Sequence, residues 1–381
     1  MSRKGLAEVE LAPEDALRLQ VLVTQVEAVR INESLQEVRG LKGESELLVQ
    51  LHPNTRSDRY LDRVREVLAQ AALDTPGGFP VVLRRWSRMG QVESSQLAKL
   101  LCLGDADAVM AVVSSSALTE ELARRAWWAA PYSEYALQML GHQQIAQSPL
   151  GQQLAQHLLE HLAFETVPHT IMQTVRTLLR PGLLNSEQQQ RLWVSGRAKV
   201  AYRIPFLELA AAGVQPLSQV TSAVAEHHEL SRYDTDLGSI AGEQPLAAGL
   251  LRVSSAEGQL FLNTIIEALR RPPDQEVVSA LLNVIGRFFS LGRRQTEALN
   301  RQPSLSHLET AWQQRQIATD ALTAPLDAYG LQVATLEALA AVNEGLLYAT
   351  FVRSDAVGSL MRRKIAPLID TITQWLKSLQ G

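Results

Sequence analysis

The sequence predicts a mainly α protein that begins with a small α+β domain, and three observations carry this prediction. Short alternating segments around a glycine-bearing turn occur near the N-terminus, where they indicate antiparallel strands. From Ser94 onward the pattern is one of short helices separated by proline, glycine and serine. Near the C-terminus, apolar residues recur at spacings that alternate between three and four, which is typical of helices packed side by side.

These patterns divide the chain into four parts. In order, they are a small α+β domain over 1–91, stacked short helices resembling helical repeats over 92–228, an irregular connection over 229–258, and a helical bundle or hairpin over 259–381. The connection is predicted because residues 229–258 show no sustained period and carry four glycines.

Within the N-terminal part, residues 13–26 fit a helix or a strand, since proline and two acids precede a Val- and Leu-rich run. Short strands are expected to follow, and then a helix that begins at Ser57 or Asp58. Pro76-Gly77-Gly78 ends that helix, and Phe79–Trp86 is predicted to be the last strand of the domain.

Two long apolar stripes lie near the C-terminus, from Leu326 to Leu347 and from Met361 to Leu379. Asn343 lies on the first stripe, where it either sets the register of a helix pair or makes a solvent-facing or intrahelical hydrogen bond. Pro367 lies on the second stripe and is expected to kink or to start that helix.

Composition limits the classes of function. The chain has 381 residues, of which 46% are hydrophobic and 20% charged, with a net charge of -4. This balance is that of a folded domain and gives no overall attraction to nucleic acid or anionic membranes. Cys102 is the single cysteine, which excludes an intramolecular disulfide, and no apolar run is long enough to span a membrane. We therefore expect a soluble cytoplasmic protein without membrane contact.

No catalytic or cofactor-binding motif occurs, so we expect no cofactor. His157 and His161 are candidate metal ligands because residues four apart share one face of a helix. However, Leu158 occupies the place where a zinc protease has glutamate, and no third ligand is identifiable, so no metal is expected. Asp234 and Asp236 are interpreted as a polar turn, and Ser114–Ser116 as a helix cap. Cys102 lies between leucines and is interpreted as a buried thiol.

Two groups of residues are candidates for partner binding. Arg84, Trp86 and Arg88 would share one face of a strand, where guanidinium groups beside an indole suit stacking on nucleic-acid bases. The alternative is that Trp86 packs at the domain junction and the arginines pair with acids. Trp127 and Trp128 are adjacent on a predicted helix, so one ring can reach the core while the other lies under a neighbouring repeat or at an interface.

A string of unusual residues resembles a known family. Leu51-His52-Pro53-Asn54, a basic helix and then PGGFPVVLRRWSRMGQ at 76–91 resemble the DsrS family, cytoplasmic proteins encoded with the dissimilatory sulfite reductase cluster of sulfur-oxidising bacteria. The likeness is strongest over 50–91 and continues through Trp127-Trp128. It implies an accessory or regulatory role in oxidising stored sulfur, with no known cofactor and no functional residues to carry over.

Together these observations favour a non-catalytic accessory or regulatory interaction protein of cytoplasmic sulfur oxidation that acts through protein partners. Two other functions stay open. One is an RNA- or DNA-binding regulator that uses Arg84, Trp86 and Arg88. The other is an enzyme with a site that no sequence motif reveals, expected as a pocket near 229–258.

Overall fold

A computed structural model describes residues 11–73, 94–221, 237–292, 304–317, 326–351 and 356–380. The chain forms two compact units, Met1–Ala163 and Phe164–Gly381, and their boundary falls inside the predicted run of short helices over 92–228. Within the described ranges, the helices are too short or too polar to cross a lipid bilayer. The predicted fold class is confirmed, because helices predominate and a small antiparallel sheet lies near the N-terminus.

The sheet of the first unit has three antiparallel strands in the order β1-β2-β3, and residues paired across the strands share one face of it. The strands are β1 Ala28–Asn32, β2 Glu37–Lys42 and β3 Ser45–Gln50. Val29, Val38 and Val49 lie in the hydrophobic core with residues from two helices, α1 and α2. Side chains at alternate positions point away from this core. The predicted further strand, Phe79–Trp86, lies outside the described residues.

Residues 13–25 form a helix, which decides between the two structures that the sequence allowed. Pro13 begins α1, and the acids Glu14 and Asp15 occupy its first turn, where the helix dipole favours negative charge. The apolar face of α1 packs against α2 in the core. The helices of this unit are α1 Pro13–Gln25, α2 Ser57–Leu73, α3 Ser94–Leu100, α4 Ala106–Val113, α5 Glu120–Ala129, α6 Ser133–Gly141, α7 Gln143–Ala146 and α8 Pro149–Leu162.

Helix α5 is capped by Thr119, whose hydroxyl oxygen accepts a hydrogen bond from the Leu122 N–H. The prediction that Ser114–Ser116 cap this helix is therefore wrong. Instead, Ser115 Oγ accepts a hydrogen bond from the Ala117 N–H within the turn that precedes the cap. Threonine is a favoured N-cap residue as serine is, so the sequence pattern alone did not distinguish Thr119 from Ser114–Ser116.

In the described residues of the second unit, all regular secondary structure is helical. Its α-helices are α9 Pro168–Leu178, α10 Ser186–Ser195, α11 Ile204–Ala211, α12 Pro245–Ser254, α13 Ala256–Leu269, α14 Gln275–Phe288, α15 Leu305–Ile317, α16 Gly330–Ala340, α17 Tyr348–Phe351 and α18 Gly358–Ser378. Short 3-10 helices occur at Leu101–Leu103 in the first unit and at Val200–Tyr202, Leu217–Gln219, Ser290–Gly292, Leu326–Tyr329 and Glu344–Leu347 in this one.

The predicted irregular connection over 229–258 is wrong from residue 245 onward, where α12 begins. Two of the four glycines that suggested irregular structure, Gly249 and Gly258, lie at closely packed positions. A Cβ atom at Gly249 would lie 3.0 Å from a methyl group of Leu336, and one at Gly258 would overlap the Arg252 carbonyl. Glycine therefore lets α12 approach its neighbours without breaking the helix.

The first C-terminal stripe is not one continuous helix. Helix α16 ends at Ala340, and Asn343 then caps a 3-10 turn by accepting a hydrogen bond from the Gly345 N–H at 2.8 Å. Asn343 thus caps the turn that follows the helix, and it does not make the solvent-facing or intrahelical hydrogen bond that the sequence suggested. Pro367 lies inside α18, so it does not start that helix. Helix α16 packs against α12, α14, α15 and α18, which makes this region a bundle.

Candidate partner-binding groove

The outer face of the sheet, opposite the core, is lined by paired charges. Arg30, Arg39 and Glu46 lie on this face because they alternate with the core residues of their strands. Glu46 forms ion pairs with Arg30 at 3.1 Å and with Arg39 at 3.2 Å, and Arg39 also contacts Glu37 at 2.8 Å. The charges on this face are therefore largely neutralised by one another.

Helix α5 packs on this face through Trp128. The Trp128 Nε1–H donates a hydrogen bond to Glu46 Oε1 at 2.8 Å, and the Arg30 guanidinium lies 4.8 Å from the indole centroid. This hydrogen bond is the main cause that lowers the pKa of Glu46, and the two arginines lower it further. The carboxylate is thus held ionised, and it fixes the indole in one orientation.

The Trp127 side chain points in a different direction from that of Trp128, because adjacent side chains on a helix diverge by about 100°. Its ring meets the His157 imidazole edge to face, with 4.8 Å between centroids. Both tryptophans are half-buried. Neither ring is fully buried, so the expectation that one of them reaches the core is not met.

Between the sheet, α5 and α8 lies an open groove of about 470 Å³. The residues that line the groove are Arg30, Leu41, Gly43, Glu44, Glu46, Arg124, Trp127, Trp128, Pro131, Leu150 and Gln153. All of them belong to the first unit.

Most charged groups of the groove already have partners. Arg124 forms two hydrogen bonds to Glu121, at 2.7 and 3.2 Å, and Arg30 pairs with Glu46. Glu44 lies in the exposed turn between β2 and β3, where its charge interacts with that of Arg124. The groove therefore combines aromatic surface with arginines and carboxylates that interact with one another.

The candidate metal ligands His157 and His161 do not converge on a common point. Their rings are stacked at 3.9 Å with an angle of 26° between the planes, so their lone pairs do not point at one shared ion. His157 Nε2 lies 3.2 Å from Ser133 Oγ, and His161 Nδ1 bonds to the His157 carbonyl at 2.8 Å. Burial, followed by the nearby His161, lowers the pKa of His157. Within the described residues, no cluster of three or more acidic, histidine or cysteine side chains could hold a metal.

Cys102 is buried, as the sequence predicts. Burial raises the pKa of its thiol to about 11, and the nearest acceptors are the Val26 and Ala98 carbonyls, 3.7 and 4.0 Å from Sγ. A thiol that stays protonated at neutral pH is a poor nucleophile. The structure thus gives Cys102 a packing role.

Several predicted residues lie outside the described residues. These are Arg84, Trp86 and Arg88, together with the rest of the 76–91 string, and Asp234 and Asp236. The groove residues Arg30, Glu44 and Glu46 were missed by sequence reasoning. Their signal was the strand register, which places Arg30 and Glu46 on one face once the β2–β3 turn is fixed at Gly43.

Comparison of the chain with protein-family models, with curated proteins and with solved structures finds no match. The likeness to the DsrS family over 50–91 therefore stays a prediction.

Proposed function

We propose that the chain is a non-catalytic accessory or regulatory protein of cytoplasmic sulfur oxidation, and that it docks a protein partner in the groove between the sheet, α5 and α8. The assignment to sulfur oxidation rests on the DsrS-like string alone. The docking role rests on the groove, which shares Trp127 and Trp128 with the DsrS likeness but has no residue in the 50–91 region where that likeness is strongest. The two parts of the proposal can therefore fail separately.

The observation that carries the docking role is the pair of half-exposed indoles, held in place by Glu46, Arg30 and His157. Tryptophan and arginine are enriched among residues that dominate binding energy at protein interfaces. Rings that are already oriented lose little conformational freedom on binding. Because the acids and arginines around them are mostly paired, the groove offers a contact surface and not a set of convergent catalytic groups.

The charges of this surface favour a protein partner over nucleic acid. Arg124 and Arg125 both contact Glu121, and Arg125 also contacts Glu27 at 3.2 Å. Arg30 and Arg39 share Glu46. Phosphate binding depends on unpaired positive charge, which these arginines do not supply.

Site-specific photocrosslinking tests this proposal in a sulfur-oxidising bacterium. A photoreactive amino acid at Gln153, which lines the groove, should capture a partner protein. The matched control places the same group at the neighbouring Gln152, which is exposed but points about 100° away on α8. Capture at Gln153 and not at Gln152 supports docking, whereas equal capture or none contradicts it. If the captured protein has no part in sulfur oxidation, the pathway assignment is wrong and the docking role stands.

A further inference from the structure

We propose that His52 is a phosphoryl-acceptor site, at which the exposed Nε2 atom takes a phosphoryl group from a phosphoramidate-type donor while the buried Asp15 carboxylate holds Nδ1–H. The proposal is independent of the docking groove, because neither residue lines it. It follows from the contrast between the burial of the two side chains, from the hydrogen bonds of the ring, and from the solvent around its free nitrogen.

The carboxylate and the ring lie in opposite environments. Asp15 is fully buried in the first turn of α1, whereas the His52 side chain, two residues after β3, is 62% exposed. Asp15 Oδ2 accepts hydrogen bonds from the His52 N–H at 2.7 Å and from Tyr60 Oη at 2.5 Å. These bonds tie the backbone after β3 to α1 without the imidazole. The contact of Nδ1 with Asp15 Oδ1 at 3.1 Å therefore orients a ring that stays in water.

This contact decides which nitrogen of the ring can react. Burial raises the pKa of Asp15, but the hydrogen bonds from Tyr60 and His52 outweigh it, so the group is a carboxylate that only accepts hydrogen bonds. Nδ1 must then carry the proton, and in the neutral ring Nε2 keeps its lone pair. Within the described residues, Nε2 has no hydrogen-bond partner. A carboxylate on the far nitrogen is the arrangement that orients imidazoles acting as bases and nucleophiles.

The transfer balances in this geometry. The Nε2 lone pair forms an N–P bond, the P–N bond of the donor breaks, and its electron pair leaves with the amine. The imidazole becomes positively charged and keeps its Nδ1–H bonded to Asp15, whose negative charge stabilises the cation. Because one N–P bond replaces another, the transfer needs no further co-reactant.

The surroundings of His52 disfavour a metal ion or an acyl group at Nε2. Structural and catalytic metal sites need three or four protein ligands, and the described residues contain no group of three His, Cys, Asp or Glu side chains that could hold a metal. A group attached to an exposed ring stands in water, which suits a charged phosphoryl group better than an apolar acyl chain.

Labelling of the full-length chain with potassium phosphoramidate tests the proposal, with His169 as the matched control in the same molecule. The His169 side chain is 57% exposed, but its Nδ1 lies 3.5 Å from Glu276, whose carboxylate is exposed as well. Peptide mass spectrometry gives the initial rate at each histidine, and phosphorus NMR identifies the modified nitrogen. We expect His52 to be labelled at least about tenfold faster than His169, and at Nε2 only.

Unfolding the wild type in urea should make the two rates equal, because it separates the ring from the carboxylate. Asp15→Asn should lower the ratio of the rates wherever circular dichroism shows a folded variant, and Tyr60→Phe, which leaves Asp15 and the imidazole in place, should keep His52 faster. Equal rates in the folded wild type, or a label on Nδ1 of His52, would overturn the proposal. The comparison of folded and unfolded wild type decides the outcome even if a variant does not fold.

Discussion

Replacing Asp15 by asparagine should lower the free energy of unfolding by about 2–4 kcal/mol. Asp15 is fully buried, and its Oδ2 accepts hydrogen bonds from Tyr60 Oη at 2.5 Å and from the His52 N–H at 2.7 Å. His52 Nδ1 lies 3.1 Å from Oδ1. An amide group has one oxygen where the carboxylate has two, so an NH2 group replaces one acceptor of the network, and the negative charge that strengthens the bonds from Tyr60 and the His52 N–H is lost. Urea unfolding followed by circular dichroism measures the change.

The pH dependence of the free energy of unfolding should report the same hydrogen bonds of Asp15. Burial alone raises the pKa of Asp15, but the hydrogen bonds from Tyr60 and His52 outweigh it and hold the pKa below the usual 3.8. The folded chain thus favours the carboxylate, and its contribution to stability is full above about pH 4 and is lost as the pH falls toward the folded pKa. Burial, followed by the hydrogen bond to Asp15, raises the pKa of Tyr60 to about 12, so the phenol stays a donor.

The gap in stability between the wild type and Asp15→Asn should therefore narrow below about pH 4. Asp62→Asn serves as the control, because that carboxylate is largely exposed and pairs only at the surface with Arg65. Its replacement should change stability by about 0.5 kcal/mol or less. A loss of similar size in both variants, or a gap for Asp15→Asn that does not depend on pH, would show that the buried network is not stabilising.

Replacing Arg252 by alanine should destabilise the second unit by about 3 kcal/mol. Its guanidinium donates to the Ala210 and Ala211 carbonyls at 2.9 Å and to the Phe288 carbonyl at 3.2 Å. These are the last carbonyls of α11 and α14, which have no partner within their own helices. The guanidinium also lies 4.3 Å from the Phe288 ring centroid, and burial lowers its pKa.

Native-state hydrogen exchange locates this effect. Amides of α11 and α14 should exchange faster in Arg252→Ala, because both helix ends lose a donor. Arg252→Lys should recover only part of the protection, since an ammonium group cannot span both ends as the planar guanidinium does. Arg287→Ala removes an exposed arginine from α14 and should have little effect. Full protection in Arg252→Lys would show that charge, and not the shape of the guanidinium, holds the two helix ends.

The fold class was predictable because it depends on local patterns. The β2–β3 turn follows from Lys42-Gly43-Glu44-Ser45, and α2 follows from apolar periodicity and helix-starting residues, whereas the pattern over 13–26 left helix and strand open. The break after α16 was missed because Asn343 continues the apolar spacing, although its side chain caps the next turn. Helix α12 was missed because residues 229–258 show no sustained period and carry four glycines, whereas its one glycine, Gly249, allows a close approach to Leu336.

The candidate site was harder to predict because it joins elements far apart in the chain. Trp128 and Glu46 are bonded across the sheet and α5, and nothing in either local pattern indicates the other. The Asp15 network did leave a signal in the sequence. Asp15 occupies the same helical face as the buried Leu19 and Leu22, and a carboxylate in such a stripe requires buried donors.

The most direct test of the docking role is the affinity of the partner captured at Gln153 for the Trp127→Ala variant, measured by calorimetry. We expect binding to weaken at least about thirtyfold, which corresponds to the loss of about 2 kcal/mol that marks a dominant interface residue. Tyr132→Ala removes an exposed aromatic ring that does not line the groove, and it should leave the affinity unchanged. Equal affinity for wild type and a folded Trp127→Ala variant would contradict the docking role.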